Sequence, residues 1–345
     1  MPELRQDKAT REWIVMATER ARRPHEFRVK RGRADLATAG GPCPFCPGNE
    51  AMTPPEVMAY RRGGQPNGPG WWIRVVPNKY PALVPVGSLE RNPGERFFRK
   101  MDAVGRHEVV IESPRHELCI PLMDDWQVEE ILWSYRERFL ALQEDPRVRL
   151  TIIFKNHGLG AGTSVQHPHS QIIATSFVPL NIRSKLYCAA QYHDTHGQCV
   201  YCDILTEELR AGKRIVDEND AFVVYHPFAS RVPFETWIVP KAHEACFALI
   251  SPDDSRRLAH ALKAAWAKLY RALNDPDLNY VLHTTPSAHE GRDYYHWHLK
   301  IIPRLTIPAG FELGSGIFIN TALPEETAAF LGSARGTGME RSGVL

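Results

Sequence analysis

The chain has no run of about 18 apolar residues, so no segment reads as a membrane-spanning helix. The first thirty residues, Met1 to Lys30, are charged and lack the apolar core of a signal peptide. Charge of one sign is missing too. Lysine and arginine total 42, aspartate and glutamate 40, and the formal net charge is +2. That balance, without long Lys/Arg clusters, argues against nucleic acid and anionic membranes as partners. A disulfide framework is also absent. The seven cysteines are odd in number, and four of them stand as two Cys-x-x-Cys pairs, a spacing that suggests metal or redox chemistry. The expectation is a soluble cytoplasmic protein. Its 345 residues are 43% hydrophobic, enough for one large domain or two halves. Cys119, Cys188 and Cys246 read as small buried hydrophobes.

What the sequence does contain is the same order of features written twice. In the first half Cys43-Pro-Phe-Cys46 precedes a strand-like run, Ile73 to Val76, and then Pro77-Asn78. A second strand, from Glu108, ends at His116. A helix over about Asp125 to Gln143, a strand Leu150 to Lys155, a Gly-rich turn Gly158 to Gly162 and His167-Pro168-His169 follow. In the second half Cys199-Val-Tyr-Cys202 precedes the strand Ala221 to Tyr225, and a strand from Glu235 ends at His243. A helix over about Ser251 to Leu273, with Ser251 as N-cap and Pro252 in the first turn, leads to the strand Asn279 to His283 and then to His296-Trp297-His298. His116 and His167 lie 51 residues apart, and His243 and His296 lie 53 apart. The pattern predicts an α+β fold of two tandem repeats, residues 1–180 and 181–345, each a mostly antiparallel sheet with one long helix. Asn181 to Gln198 reads as the connector, and Lys30 to Gly41 and Pro66 to Gly70 as loops.

Each half offers two cysteines and two histidines, the ligand set that zinc takes in a closed tetrahedral site. The expected sites are Cys43, Cys46, His116 and His167, and Cys199, Cys202, His243 and His296. His298 competes with His296, because alternate strand residues share a face. His283 is an intermediate case. His107, His157, His193, His260 and His289 read as surface or core residues. Redox dithiols are the competing reading of the cysteine pairs.

His169 remains for chemistry. Neutral imidazole can attack a phosphorus atom at neutral pH and also leaves well, so it suits a covalent carrier of a phosphoryl group. Gln171 can donate to the phosphoryl oxygens as charge builds there. Ser164 and the backbone of Gly158 to Gly162 can supply further donors. The second half has Lys300 where the first has Gln171, so only one repeat is expected to be catalytic.

These motifs resemble the galactose-1-phosphate uridylyltransferases, the two-repeat branch of the histidine-triad superfamily. The resemblance runs from about Trp13 to Leu331. It is carried most specifically by Cys43-Pro-Phe-Cys46, Pro77-Asn78, Ser113-Pro-Arg-His116, Asn156 through Gln171, and Pro233 through His243. It implies a ping-pong reaction. UMP passes from UDP-glucose to His169 and then to a hexose 1-phosphate such as galactose 1-phosphate. It implies that His167 binds zinc and that Gln171 contacts phosphate. Arg23, Asn78, Asn156, Gly162 and Ser164 match nucleotide-binding positions, and Phe311 and Glu312 match positions that approach the sugar. A homodimer is also implied. Three departures stand out. The iron-type second site of well-known members includes a glutamate, but Asn181-Ile-Arg-Ser-Lys185 has no acid, so zinc is expected there in place of iron. No glutamine follows Glu312 in Leu313 to Asn320. Gly310 to Gly316 with His296-Trp297 resembles an ADP-glucose phosphorylase branch, in which AMP goes to inorganic phosphate. A zinc-stabilised binding module without catalysis is the remote alternative.

Overall fold

A computed structural model describes residues 1–17, 24–28, 42–90, 98–287 and 292–333. The chain opens with a hairpin, β1 (Glu3–Gln6) and β2 (Trp13–Met16). The first half then contributes β3 (Met58–Arg61), β4 (Trp71–Pro77), β5 (Gly105–Ile111), helix α1 (Asp125–Gln143), β6 (Leu150–His157) and β7 (His169–Thr175). Helices α2 (Leu180–His196) and α3 (Val200–Ala211) follow. The second half adds β8 (Ile215–Glu218), β9 (Phe222–Tyr225), β10 (Thr236–Pro240), α4 (Pro252–Leu273), β11 (Leu278–His283) and β12 (His298–Pro303). A short helix α5 (Gly310–Ser315), strand β13 (Ile319–Asn320) and α6 (Pro324–Ser333) close the described chain. None of the described helices is long and apolar enough to cross a membrane.

The two long helices form for local reasons. The Ser251 hydroxyl accepts from the Asp254 N–H at 3.1 Å, Pro252 opens α4, and Asp253 and Asp254 stand at its positive end. At α1 the Gln127 side chain reaches back to accept from the Asp124 N–H at 3.0 Å. Both helices match the expected spans. The segment read as a connector, Asn181 to Gln198, folds mostly as α2. Its helix ends at Gly197, which adopts a left-handed conformation with φ 72°.

Ten strands join in one sheet, in the order β3-β4-β5-β7-β6-β11-β12-β10-β9-β8. Read from either edge, the order is the same pattern of two adjacent strands, a third, and a crossed pair. All the pairings between these strands are antiparallel. The halves meet where β6 pairs with β11, so the sheet is continuous across the repeat.

Strand alternation then sorts the residues. Ile172 and Ala174 of β7, Ile153 of β6, Val110 of β5 and Leu299 and Ile301 of β12 share one core with Leu132 and Phe139 of α1 and Leu262 and Trp266 of α4. Their neighbours in sequence, His169 and Gln171 of β7, His107 of β5 and Asn156 of β6, lie on the opposite face. Burial of the helix face, at roughly 1.5–3 kcal/mol per large apolar side chain, therefore decides which face is left for chemistry.

Candidate active site and metal clusters

The first cysteine–histidine set converges. Single ligand atoms of Cys43, Cys46, His116 and His167 all lie within 4.8 Å of one another. Cys46 Sγ is 3.4 Å from His116 Nδ1 and 3.6 Å from His167 Nδ1. Bonds of about 2.3 Å to sulfur and about 2.0–2.1 Å to nitrogen, set tetrahedrally, place S and N about 3.6 Å apart, so these atoms suit a shared ion. The His167 Nε2–H donates to the Ser113 carbonyl at 2.7 Å, which leaves Nδ1 unprotonated toward the cluster. His116 lies in the turn beyond β5 and not at the strand end expected from sequence, and His243 likewise lies beyond β10. Strand pairing stops first, and the free turn then carries each histidine to its cysteines.

In the second set Cys199, Cys202 and His243 converge within 4.8 Å. His296 approaches through Nδ1, 3.4 Å from Cys202 Sγ, and Cys202 is 3.2 Å from His243 Nδ1. A hydrogen bond from the Cys202 thiol, acting against burial, lowers Cys199 to about 5. His298 turns away. Its ring is stacked between Trp237, at 4.7 Å and 9°, and His283, at 5.0 Å and 19°. Burial holds His298 well below the ordinary histidine range. The Lys300 ammonium lies 3.7 Å from the Trp237 ring centroid and is pushed down to about 7 by burial, with Lys185 next in effect. Both faces of this imidazole are therefore covered.

His169 is the counterpart of His298 and has a different setting. It is 8% exposed at the start of β7. Its Nδ1–H donates to the His167 carbonyl at 2.8 Å, so the lone pair sits on Nε2. Burial lowers its pKa, which favours neutral imidazole. Phe45, inside the Cys43/Cys46 loop, packs edge-on against it with ring centres 5.2 Å apart, so that loop also braces this ring. Behind it, on the helix side, Lys155 donates to the His169 carbonyl at 3.0 Å and pairs with buried Glu112. The Glu112 N–H in turn donates to the Pro168 carbonyl at 3.0 Å. The Tyr135 hydroxyl donates to Ser170 Oγ at 2.6 Å and also contacts Tyr280. The backbone of residues 168–170 is thus clamped by buried polar groups.

Gln171 follows on the same face as His169. Its Oε1 is 2.7 Å from His107 Nε2, and Asn78 Nδ2 is 3.2 Å from that same nitrogen. Asn156 comes level with His169 on β6. Asn279 of the second half donates to Asn156 Oδ1 at 2.8 Å and to the Ala161 carbonyl at 2.9 Å. Asp277 accepts from the Gly160 N–H at 2.6 Å. Gly158, at φ +87°, needs to be glycine, because a Cβ there would fall 1.7 Å from Asp277 Oδ1. Gly162 and Ser164 are exposed at the rim.

The remaining candidates are elsewhere. Phe311 and Glu312 sit on α5, where Phe311 is 52% exposed and Glu312 accepts from the Ala309 N–H at 3.0 Å. No hydrogen bond joins them to His169 or Gln171 among the described residues. Arg23 and His289 lie outside the described residues. Sequence reading missed His107, Glu112, Lys155 and Asn279. No local signal marked Lys155 or Glu112: Lys155 shares its strand face with Thr151 and His157 as well as Ile153, and Glu112 shares its face with Glu108 as well as Val110.

The family model described as galactose-1-phosphate uridyl transferase, N-terminal domain, matches residues 1–179. An ADP-glucose phosphorylase from Arabidopsis thaliana is 34% identical over 330 residues, 95% of this chain and 91% of that protein. A galactose-1-phosphate uridylyltransferase from Thermotoga maritima is 28% identical, over 95% of this chain and 97% of its own length. The crystal structure of the Arabidopsis thaliana ADP-glucose phosphorylase with bound ADP-glucose aligns at TM-score 0.78 and 32% identity, covering 96% of this chain and 99% of that one. A match over more than half the chain, with relatives spanning nearly all of it, makes this chain a nucleotidyltransferase that belongs to the galactose-1-phosphate uridyl transferase family.

Proposed function

We propose that this chain transfers a nucleoside monophosphate through a covalent bond to Nε2 of His169. The supporting observation is the Nδ1–H donated to the His167 carbonyl, which presents an unprotonated Nε2 on a clamped strand. Nε2 attacks the α-phosphorus of a nucleoside diphosphate hexose. The N–P bond forms, the bond to the β-phosphate bridging oxygen breaks, and hexose 1-phosphate leaves with the electron pair. A phosphate oxygen of the acceptor, a hexose 1-phosphate or inorganic phosphate, then attacks phosphorus, the N–P bond breaks and the imidazole is freed. The Gln171 amide donates to the phosphoryl oxygens, while Asn78, Asn156, Gly162 and Ser164, with Arg23, hold the nucleotide. Phe311 and Glu312 serve the sugar, from α5 of a second copy in a homodimer. The exposure of Ile307, Phe311 and Leu313 supports that reading. The mirrored strand order supports a division into repeats 1–180 and 181–345.

Zinc is the ion we assign to both cysteine–histidine sets, since thiolate and imidazole in a closed tetrahedron suit it. It supplies a rigid tie between the Phe45 loop and the His167 strand. About two zinc ions per chain, and little iron, are expected by elemental analysis. A single zinc, with Cys199 and Cys202 both alkylated in the folded protein, would refute the second site.

Two donor–acceptor pairs fit the chemistry. UMP transfer from UDP-glucose to galactose 1-phosphate is supported by the family model and the Thermotoga maritima relative. AMP transfer from ADP-glucose to inorganic phosphate is favoured by a specific observation, the higher identity of the Arabidopsis thaliana relative. The test is to incubate the protein with each sugar nucleotide, radiolabelled at the α-phosphate, without acceptor. Acid-labile, base-stable label on His169 is expected, and the better donor identifies the base. No label from either donor overturns the covalent route.

A further inference from the structure

The geometry points to His107 as the positioning residue that turns the Gln171 amide nitrogen toward the transferred phosphoryl group. This rests on the reading of Gln171 as a donor to that group. The Ala82 N–H donates to His107 Nδ1 at 3.2 Å, so Nδ1 holds a lone pair and the ring proton is on Nε2. That proton points at Gln171 Oε1, 2.7 Å away. With its oxygen engaged, Gln171 presents only its NH₂ group to a ligand. Turned the other way, two N–H groups would face each other across a short contact, and the carbonyl would face an anionic substrate. Reversal would therefore cost a hydrogen bond and add repulsion where charge builds.

The Asn78 Oδ1 accepts from the Tyr80 N–H at 2.8 Å, which turns its NH₂ toward His107 Nε2, 3.2 Å away; with the ring proton on that nitrogen this contact is not a hydrogen bond, and Gln171 Oε1 is the acceptor. The second repeat shows the opposite polarity at the matching register. Val109 pairs with Gln171 on β5–β7, and Trp237 pairs with Lys300 on β10–β12, so Glu235 stands where His107 does. Glu235 accepts from the Trp237 Nε1–H at 2.8 Å and the Arg231 N–H at 2.7 Å. An acceptor therefore occupies that place in the half whose imidazole is enclosed.

The test compares His107→Gln, His107→Ala and His107→Glu, each in the wild-type and Gln171→Ala backgrounds. The readout is the single-turnover rate of labelling at His169, together with KM. Glutamine can still donate to Gln171 Oε1, so H107Q is expected within a few-fold of wild type. H107A, which leaves the amide free to turn, is expected to label about 10- to 100-fold more slowly, part of the cost of losing an oxyanion donor outright. H107E accepts only, reverses the amide and should fall below H107A, with KM changing less than rate throughout. In the Gln171→Ala background the three variants are expected to agree within about twofold, because the group they orient is gone. Equal rates for the similarly sized H107Q and H107E would overturn the inference. So would differences that persist without Gln171, which would mean that His107 acts by charge or packing alone. Absence of label on the wild-type protein is a separate failure. It removes the His169 reading, and the inference with it.

Discussion

Replacing His169 by asparagine is expected to lower turnover by roughly 10⁵- to 10⁶-fold, the scale on which loss of a covalent nucleophile is felt. Asparagine is chosen because its amide nitrogen falls near Nδ1 and can still donate to the His167 carbonyl. The backbone clamp and the neighbouring Cys43/Cys46/His116/His167 cluster would stay in place. What disappears is Nε2 and its lone pair. Metal content and melting temperature should therefore match those of the wild-type protein, while label from a sugar nucleotide no longer appears. Turnover that remained above about 1% of wild type would argue for direct transfer between the two substrates.

The second large effect lies behind His169 and acts first on stability. Lys155 and Glu112 form an ion pair whose side chains are 2% and 0% exposed. Lys155→Met leaves a fully buried carboxylate with only the Tyr135 hydroxyl, at 3.2 Å, near its oxygens among the described residues, at a cost of about 3–5 kcal/mol. A fall in melting temperature of roughly 5–15 °C is expected. The double variant Lys155→Met/Glu112→Leu removes both charges, and most of that loss should return, because a matched apolar pair carries no desolvation penalty. By contrast, Arg256→Ala breaks a pair whose partners are 63% and 71% exposed, and should change stability by less than about 1 kcal/mol. Lys155→Met should also slow labelling at His169, since the carbonyl of that residue loses its donor. Thermal or denaturant melts of the three proteins decide the matter. If Lys155→Met and the double variant are equally stable, an unpaired Glu112 carboxylate is not what destabilises Lys155→Met.

Both effects depend on residues of unequal legibility. His169 could be read from five consecutive residues, because a histidine, a proline, a second histidine and a glutamine at that spacing are the groups the proposed chemistry needs. Helices α1 and α4 could be read from caps and periodicity, which are local. Lys155 and Glu112 are 43 residues apart, and the pair forms because β5, β7 and β6 are neighbours in the sheet. His107 and Gln171 are 64 apart and meet across one ladder. Read alone, His107 was indistinguishable from His193 or His260. The resemblance also located Phe311 and Glu312, which occupy an exposed helix within this chain.

The sequence by itself determined the doubled order of elements, the two cysteine–histidine sets, the histidine proposed to attack and the asymmetry between Gln171 and Lys300. Each of these is written in residue types and their order along the chain. The tertiary structure alone decided that the two halves share one sheet across β6 and β11, that Asn279 and Asp277 of one half hold the glycine turn of the other, and that His298 is enclosed between Trp237 and His283. It also decided that Gln171 has a partner for its oxygen. Cross-strand register is set by hydrogen-bond ladders and by which face the helices bury, and it joins residues that no short stretch of chain contains together.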